Sequence, residues 1–293
     1  MHLKDAVADF IKQARELRVA VIGETITDEF IRVSYEGQSM KSICPVLRIE
    51  GQERPQLGGA AAIAGHLSDF VHSVTLFSNN PSEIVKTRYV DINSDKKHIE
   101  INSFKKIKPI TKKFETSGFD VIIVADFGHG FFDGININNG FHLMCQTNSN
   151  NFGFNRVSKW RDCKKKSICL DLREASLQIN RKISSIRSDT MFELYNYELN
   201  TDSLFLTVGS GGSIFTDGKQ VIRQSPFGGK IVDTIGAGDT FFAFSSIASS
   251  IKIKNKQNIM LVPSLAASLS TTWLANENVI TRKSLIKHAN QSL

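Results

Sequence analysis

Asp233 and Asp239 bracket the segment Asp-Thr-Ile-Gly-Ala-Gly-Asp, and an apolar run from Thr240 to Ala248 follows at once. Glycines at 236 and 238 permit backbone geometry closed to other residues, so several N–H groups can converge on one point. The run has the length and pattern of a buried helix, which sets that point at a helix N-terminus. There the unpaired amides and the helix dipole favour an anion such as phosphate. A carboxylate at the lip of such a site is poorly placed to bind phosphate itself. It is better used to take a proton from a hydroxyl that attacks the phosphate. Gly236, Ala237, Gly238 and Asp239 are therefore the candidate catalytic residues. The competing reading is a Gly-rich turn capping a buried helix, with both aspartates as turn and cap residues.

These residues need a scaffold that aims them. Arg18–Gly23 and Phe119–Ala125 are short apolar runs that suit buried parallel strands, and Val74–Phe77, Ser167–Leu170 and Ser203–Val208 add to them. Gly58-Gly59 opens a helix of small residues. Ile214–Ile222 reads as a hairpin around Asp217-Gly218. Amphipathic stretches near 1–17, 259–275 and 281–290 complete an alternation of strands and helices, which implies a mostly parallel sheet covered on both faces. Ligands bind such sheets beyond the C-terminal strand ends, so the loops at 23–28, 126–130, 171–174 and 209–212 should share one rim. Residues 29–57 alternate apolar and polar positions among Gly and Pro, as an excursion of half-exposed strands would.

The 293 residues can bury a large core, and 41% hydrophobic with 22% charged residues is ordinary for a soluble globule. The net charge of +7 could suggest nucleic acid. However, the lysines fall in scattered clusters (Lys105-Lys106, Lys112-Lys113, Lys164 to Lys166) without interleaved aromatics, so they read as solvated faces. Cysteines 44, 145, 163 and 169 form no Cys-x-x-Cys pair, which points to a reduced, cytoplasmic setting. Residues 1–17 lack the apolar core of a secretory signal. No run reaches the roughly 18 apolar residues needed to cross a bilayer, so no membrane partner is expected. No Walker loop is present, which argues against a P-loop kinase.

Gly58-Gly59, the Thr207-x-Gly209-x-x-Gly212 turn and Asp233-Thr-x-Gly-Ala-Gly-Asp239 occur in that order. Together they resemble the PfkB/ribokinase family of carbohydrate kinases over nearly the whole chain. Within it the pattern is nearest to the heptose 7-phosphate kinases, through Gly23-x-x-x-x-Asp28, Ser42-Ile-Cys-Pro-Val, Glu53-Arg54-Pro55 and Asp126-Phe-Gly-His-Gly130. The resemblance implies a ribokinase-like, doubly wound α/β fold. Residues 1–28 and 58–293 would form the kinase domain, and 29–57 a small β-strand lid that in relatives often pairs two subunits as a homodimer. Asp239 would be the general base on the sugar hydroxyl, and the amides of 235–238 the anion hole. Asp28, Gly58, Gly59 and Asp126 would bind the sugar or sugar phosphate. Thr207, Gly209, Gly212 and Thr234 would lie with ATP. Asp171 and Glu174 would serve Mg2+, and Asp233 a monovalent cation such as K+.

The chain departs from this pattern in places. Asp171-x-x-Glu174 stands where the family has Asn-x-x-Glu, and the same four residues could be an exposed turn. Glu24 replaces an Asp common in relatives. Gln146-Thr147-Asn148, in an Asn-rich stretch to Asn155, occupies the place of an Asp-Pro-Lys segment. Lys41, Arg48 and Arg54 could contact a phosphate on the substrate or could be solvated. The role of His129 is open. A hexose or nucleoside kinase, or a family member that binds sugar or nucleotide without turnover, remains an alternative.

Overall fold

Two runs without an exposed position set the architecture: 19–23 and 121–126 are buried throughout and must be covered on both faces. The computed structural model describes residues 3–110, 117–133, 137, 140–148, 151, 153–197 and 199–292. Lys112, Lys113 and positions 149, 150 and 152 of the Asn-rich stretch lie outside the described residues.

Along the chain, α1 (Leu3–Ala14) leads into β1 (Arg18–Gly23), β2 (Thr25–Gln38), β3 (Pro45–Gln52) and β4 (Gln56–Gly59). Next come α2 (Ala60–Leu67), β5 (Ser73–Phe77), β6 (Ile84–Asp91), β7 (Lys97–Phe104), β8 (Val121–Asp126) and β9 (Phe141–Cys145). They are followed by β10 (Lys165–Asp171), α3 (Leu172–Gln178), α4 (Ser188–Asn196), β11 (Leu204–Thr207), β12 (Ser213–Thr216) and β13 (Val221–Gln224). The helices α5 (Ala237–Ala248), α6 (Leu261–Ser270) and α7 (Arg282–Gln291) come last.

The large sheet has the order β13-β12-β11-β10-β9-β8-β1-β5. Its strands are parallel from β5 through β11, and the hairpin expected at 214–222 adds the antiparallel β12 and β13. The C-terminal ends of β1, β8, β10 and β11 therefore share one edge, as the loop positions implied. Helix α5 packs over β8 and β10 and against α2 and α6. Its Phe242 and Phe244 are fully buried, and Phe244 meets Phe70 edge-on at 4.9 Å.

The chain passes from β1 to β2 through Glu24 alone and there enters a second sheet of order β3-β2-β6-β7, with β4 paired to β2. This sheet takes in more than the 29–57 excursion. Residues 25–28, assigned above to the main domain, begin it, and 84–104 complete it as β6 and β7. Along β6, Ile84, Lys86 and Arg88 fall on one face, so a charged pair interrupts the apolar alternation that marks a strand. Among the described residues no helix is long and apolar enough to cross a membrane.

Candidate active site

Helix α5 begins as its sequence demands. Gly236 is its N-cap at φ 81, a left-handed conformation that favours glycine, and a Cβ there would collide with Asn276 Oδ1. A relay fixes this end. The Ile280 N–H donates to His66 Nδ1 (3.1 Å), which leaves the proton on Nε2 to donate to Thr240 Oγ1 (3.1 Å); Thr240 in turn donates to the Gly236 carbonyl (3.0 Å). Burial lowers the His66 pKa to about 4 and keeps it neutral, as this relay requires.

The anion hole expected over 235–238 is narrower than that. The Asp233 carboxylate accepts the Ile235 N–H (3.3 Å) and the Thr234 N–H (2.8 Å), and the Thr234 carbonyl accepts the Ala237 N–H (3.3 Å). The amides of Gly236, Gly238 and Asp239 keep no acceptor among the described residues. Gly238 is exposed and Gly236 half-buried, so these two amides lie at the positive end of the helix within reach of solvent, while Asp239 is buried.

Asp239, in the first turn of α5, is buried, and the Gly59 backbone N–H acts to lower its pKa. Burial, reinforced by the nearby Asp28 carboxylate, raises its pKa to about 7. Gly59 reaches it because its φ of 63 turns the end of β4 into α2, and a Cβ there would strike the Glu24 carbonyl. A Cβ on Gly58 would lie 2.8 Å from Asp28 Oδ2. Asp28, Gly58, Gly59 and Asp239 are thus brought together. Arg88 of β6, which sequence reading passed over, forms a buried ion pair with Asp28 and a second with Glu100 at 2.9 Å. Burial still raises the Asp28 pKa, against the pull of Arg88.

Asp126 is not at this surface. It is 1% exposed, and its carboxylate accepts from Trp160 Nε1 (2.8 Å), Lys159 Nζ (2.5 Å), Asn155 Nδ2 (3.2 Å) and the Gly128 amide (3.1 Å). These inward contacts make it a brace beneath the rim. Glu24 is a second brace, accepting the amides of Phe127 (2.5 Å), His129 (2.8 Å) and Phe131 (3.1 Å). The ring of His129 packs on Phe104 at 4.8 Å. Of the lid cations, Lys41 and Arg54 are exposed, and Arg48 pairs with Glu36 and Glu50, each at 3.2 Å.

On the opposite side of Asp239, β10 and β11 set Asp171 beside Thr207 in register. Gly209 (φ 55) and Gly212 (φ 84) shape the turn that follows, and Thr234 lies exposed nearby in sequence to the amide cluster. Asp171 and Glu174 form a capping box on α3: the Glu174 amide donates to Asp171 Oδ1 (2.7 Å) and the Asp171 amide to Glu174 Oε2 (2.8 Å). Burial, then Asp171 and the more distant Asp239, push the Glu174 pKa to about 8. A cation would relieve this crowding of carboxylates. Among the described residues no group of three His, Cys, Asp or Glu forms a metal cage.

Asp233 does not fit a monovalent cation in the same way. Its Oδ1 is ringed by N–H donors, among them the Lys97 ammonium of β7 at 2.8 Å, and these cannot ligate a metal ion. Among the described residues its Oδ2 is buried without a hydrogen-bond partner.

Comparisons with known proteins bear on the fold. No protein-family model matches the chain. A bifunctional ribokinase/ribose-5-phosphate isomerase A of Fructilactobacillus sanfranciscensis is 33% identical over 96 residues, which cover 32% of this chain and only 18% of that protein. Solved structures match over far more. A nucleoside kinase of Methanocaldococcus jannaschii, an archaeal member of the ribokinase family, covers 95% of this chain with 99% of its own at TM-score 0.64 and 14% identity. Arabidopsis thaliana ribokinase, solved with ribose and ATP, covers 94% with 99% of its own at TM-score 0.62 and 14% identity. The chain has the ribokinase-like α/β fold.

Proposed function

We propose that this chain is a kinase that transfers a phosphoryl group from ATP to a hydroxyl of a sugar or sugar phosphate, with a heptose-phosphate-like acceptor as the nearest class. The observation that carries this reading is the buried Asp239 carboxylate, facing Gly59 and Asp28 beside the open amides of Gly236 and Gly238.

In this reading Asp28, paired with Arg88, orients acceptor hydroxyls, and Asp239 takes the proton of the attacking one. A base with a pKa near 7 is matched to neutral pH, and positioned bases contribute about 10²–10⁴-fold. The Gly59 N–H favours the ionised form of that carboxylate. The amides of Gly236 and Gly238 receive the phosphoryl oxygens as charge spreads over them. Thr207, Gly209, Gly212 and Thr234 line the nucleotide side. Asp171 and Glu174 would hold Mg2+, which supplies charge neutralisation on the nucleotide phosphates when bound. Exposed Tyr35, Ile49, Leu57 and Ile101 on the second sheet support pairing of two copies through it.

Incubation with ATP and a panel of sugars and sugar phosphates tests the proposal. ADP release with at least one acceptor, and its loss in Asp239→Asn, are expected. Full activity in Asp239→Asn would overturn the role of the base.

A further inference from the structure

We propose that Lys86 selects an acceptor that carries a negatively charged group, a phosphate or a carboxylate, by pairing with it in the acceptor site. The inference rests on the kinase reading above and assigns the residue that reads acceptor charge.

The sheet register places Lys86. In β6 it lies beside Asp28 of β2, and Asp28 lies beside Gln56 of β4. On its other flank Lys86 lies beside Asn102 of β7. Neighbours in register point to the same face of a sheet. Gln56, Asp28, Lys86 and Asn102 therefore form a polar row across the second sheet, on the face that carries Asp28 toward Asp239.

The charges in this row are unequally paired. Arg88 serves as the counter-ion of Asp28 and of Glu100, so neither carboxylate depends on Lys86. Among the described residues no carboxylate lies within 4 Å of the Lys86 ammonium. Most of the side chain is nonetheless covered. Burial lowers its pKa, while Glu100, Asp28 and Asp239 act in the opposite direction and Arg88 adds to the lowering. The Lys86 charge also depresses His129, on the loop after β8. The ammonium thus stands in register beside Asp28, its charge felt by Asp239 and His129, and among the described residues it has no salt-bridge partner.

A buried cation without a partner is costly, and an anion delivered by the ligand would remove that cost. A neutral sugar cannot do so. The basic residues that the sequence offered for this task, Lys41, Arg48 and Arg54, are exposed, and Arg48 is already paired. The rival role is a counter-charge that only tunes Asp239, which would act equally on every acceptor.

The test compares wild type, Lys86→Met and Lys86→Arg on fructose, fructose 6-phosphate, ribose, ribose 5-phosphate and gluconate. Wild type should prefer a charged acceptor, the phosphate and gluconate arms separating the two anions. In Lys86→Met the KM for that acceptor should rise about 10- to 100-fold more than the KM for a neutral sugar, and Lys86→Arg should restore part of it. Equal losses on charged and neutral acceptors, with a shifted pH profile, would overturn the inference and leave the kinase reading standing. If wild type transfers phosphate to none of these, nor to sedoheptulose 7-phosphate, the kinase reading falls, and melting shifts decide the site. Fructose 6-phosphate should then stabilise wild type and not Lys86→Met, with fructose stabilising neither; no difference between the proteins overturns the inference.

Discussion

Lys97 Nζ lies 2.8 Å from Asp233 Oδ1, so the first residue of β7 in the second sheet clamps the loop that leads into α5. The same Asp233 oxygen holds the amides of Thr234 and Ile235, which fixes the approach to Gly236. An ammonium on a tether thus takes the side of Asp233 where a free cation would compete. Lys97→Met should lower kcat about tenfold, the usual scale for losing one charge-assisted hydrogen bond. Exchange of KCl for choline chloride at equal ionic strength should leave wild-type rates within about twofold. Steady-state kinetics in the two salts check both outcomes, and a large K+ requirement in wild type would contradict the clamp.

Activity should follow the ionisation of Asp239. With its pKa near 7, kcat/KM should rise about tenfold per pH unit below 7 and level off above it. The folded carboxyl keeps its proton to about pH 7, whereas an unfolded one releases it near 3.8. The folded state therefore binds more protons across that window, and this group costs stability as pH rises through it. Asp239→Asn should abolish transfer and stabilise the fold at pH 8, by up to about 4 kcal/mol seen as a higher melting temperature, with no gain at pH 4. Melting curves at the two pH values measure it.

Gly59→Ala should damage both fold and chemistry. Its φ of 63 and the Glu24 carbonyl leave no room for a Cβ, a strain of about 1–3 kcal/mol. Relief of that strain would move the N–H that lowers the Asp239 pKa. Urea unfolding should show the loss, and kcat of the folded fraction should fall with it.

Asp126→Asn separates brace from binding residue. Removal of the charge facing Lys159 and Trp160 should destabilise the fold by about 3 kcal/mol. The acceptor KM of the folded variant should stay within about twofold. A selective rise in KM, with stability unchanged, would return Asp126 to the acceptor site.

What could be read from sequence was local. The turn at Gly236, the helix after it and the Gly58-Gly59 entry to α2 are each encoded within a few residues, and backbone geometry gives them meaning. The strands at 18–23 and 119–125 were legible because they are almost wholly apolar, whereas β9, with His142 at its second position, was not read. Arg88, Lys86 and Lys97 were not legible, because their roles depend on β2 and β6 pairing in one register across a long stretch of chain. A strand-end position for Asp126 said nothing of where its carboxylate turns, since Asn155, Lys159 and Trp160 reach it from a distant loop. The anion hole was read too widely for a related reason: spacing reveals amides but not which of them Asp233 and Thr234 consume.

The two sheets divide the proposed labour. The base and the amide cluster stand at the edge of the large sheet, while Asp28, Lys86 and Arg88 are carried on the small one. The two sets are coupled nonetheless, since Asp28 raises the Asp239 pKa and Lys97 holds Asp233. A substitution on the small sheet is therefore felt at the first turn of α5, and one at α5 is felt on the small sheet.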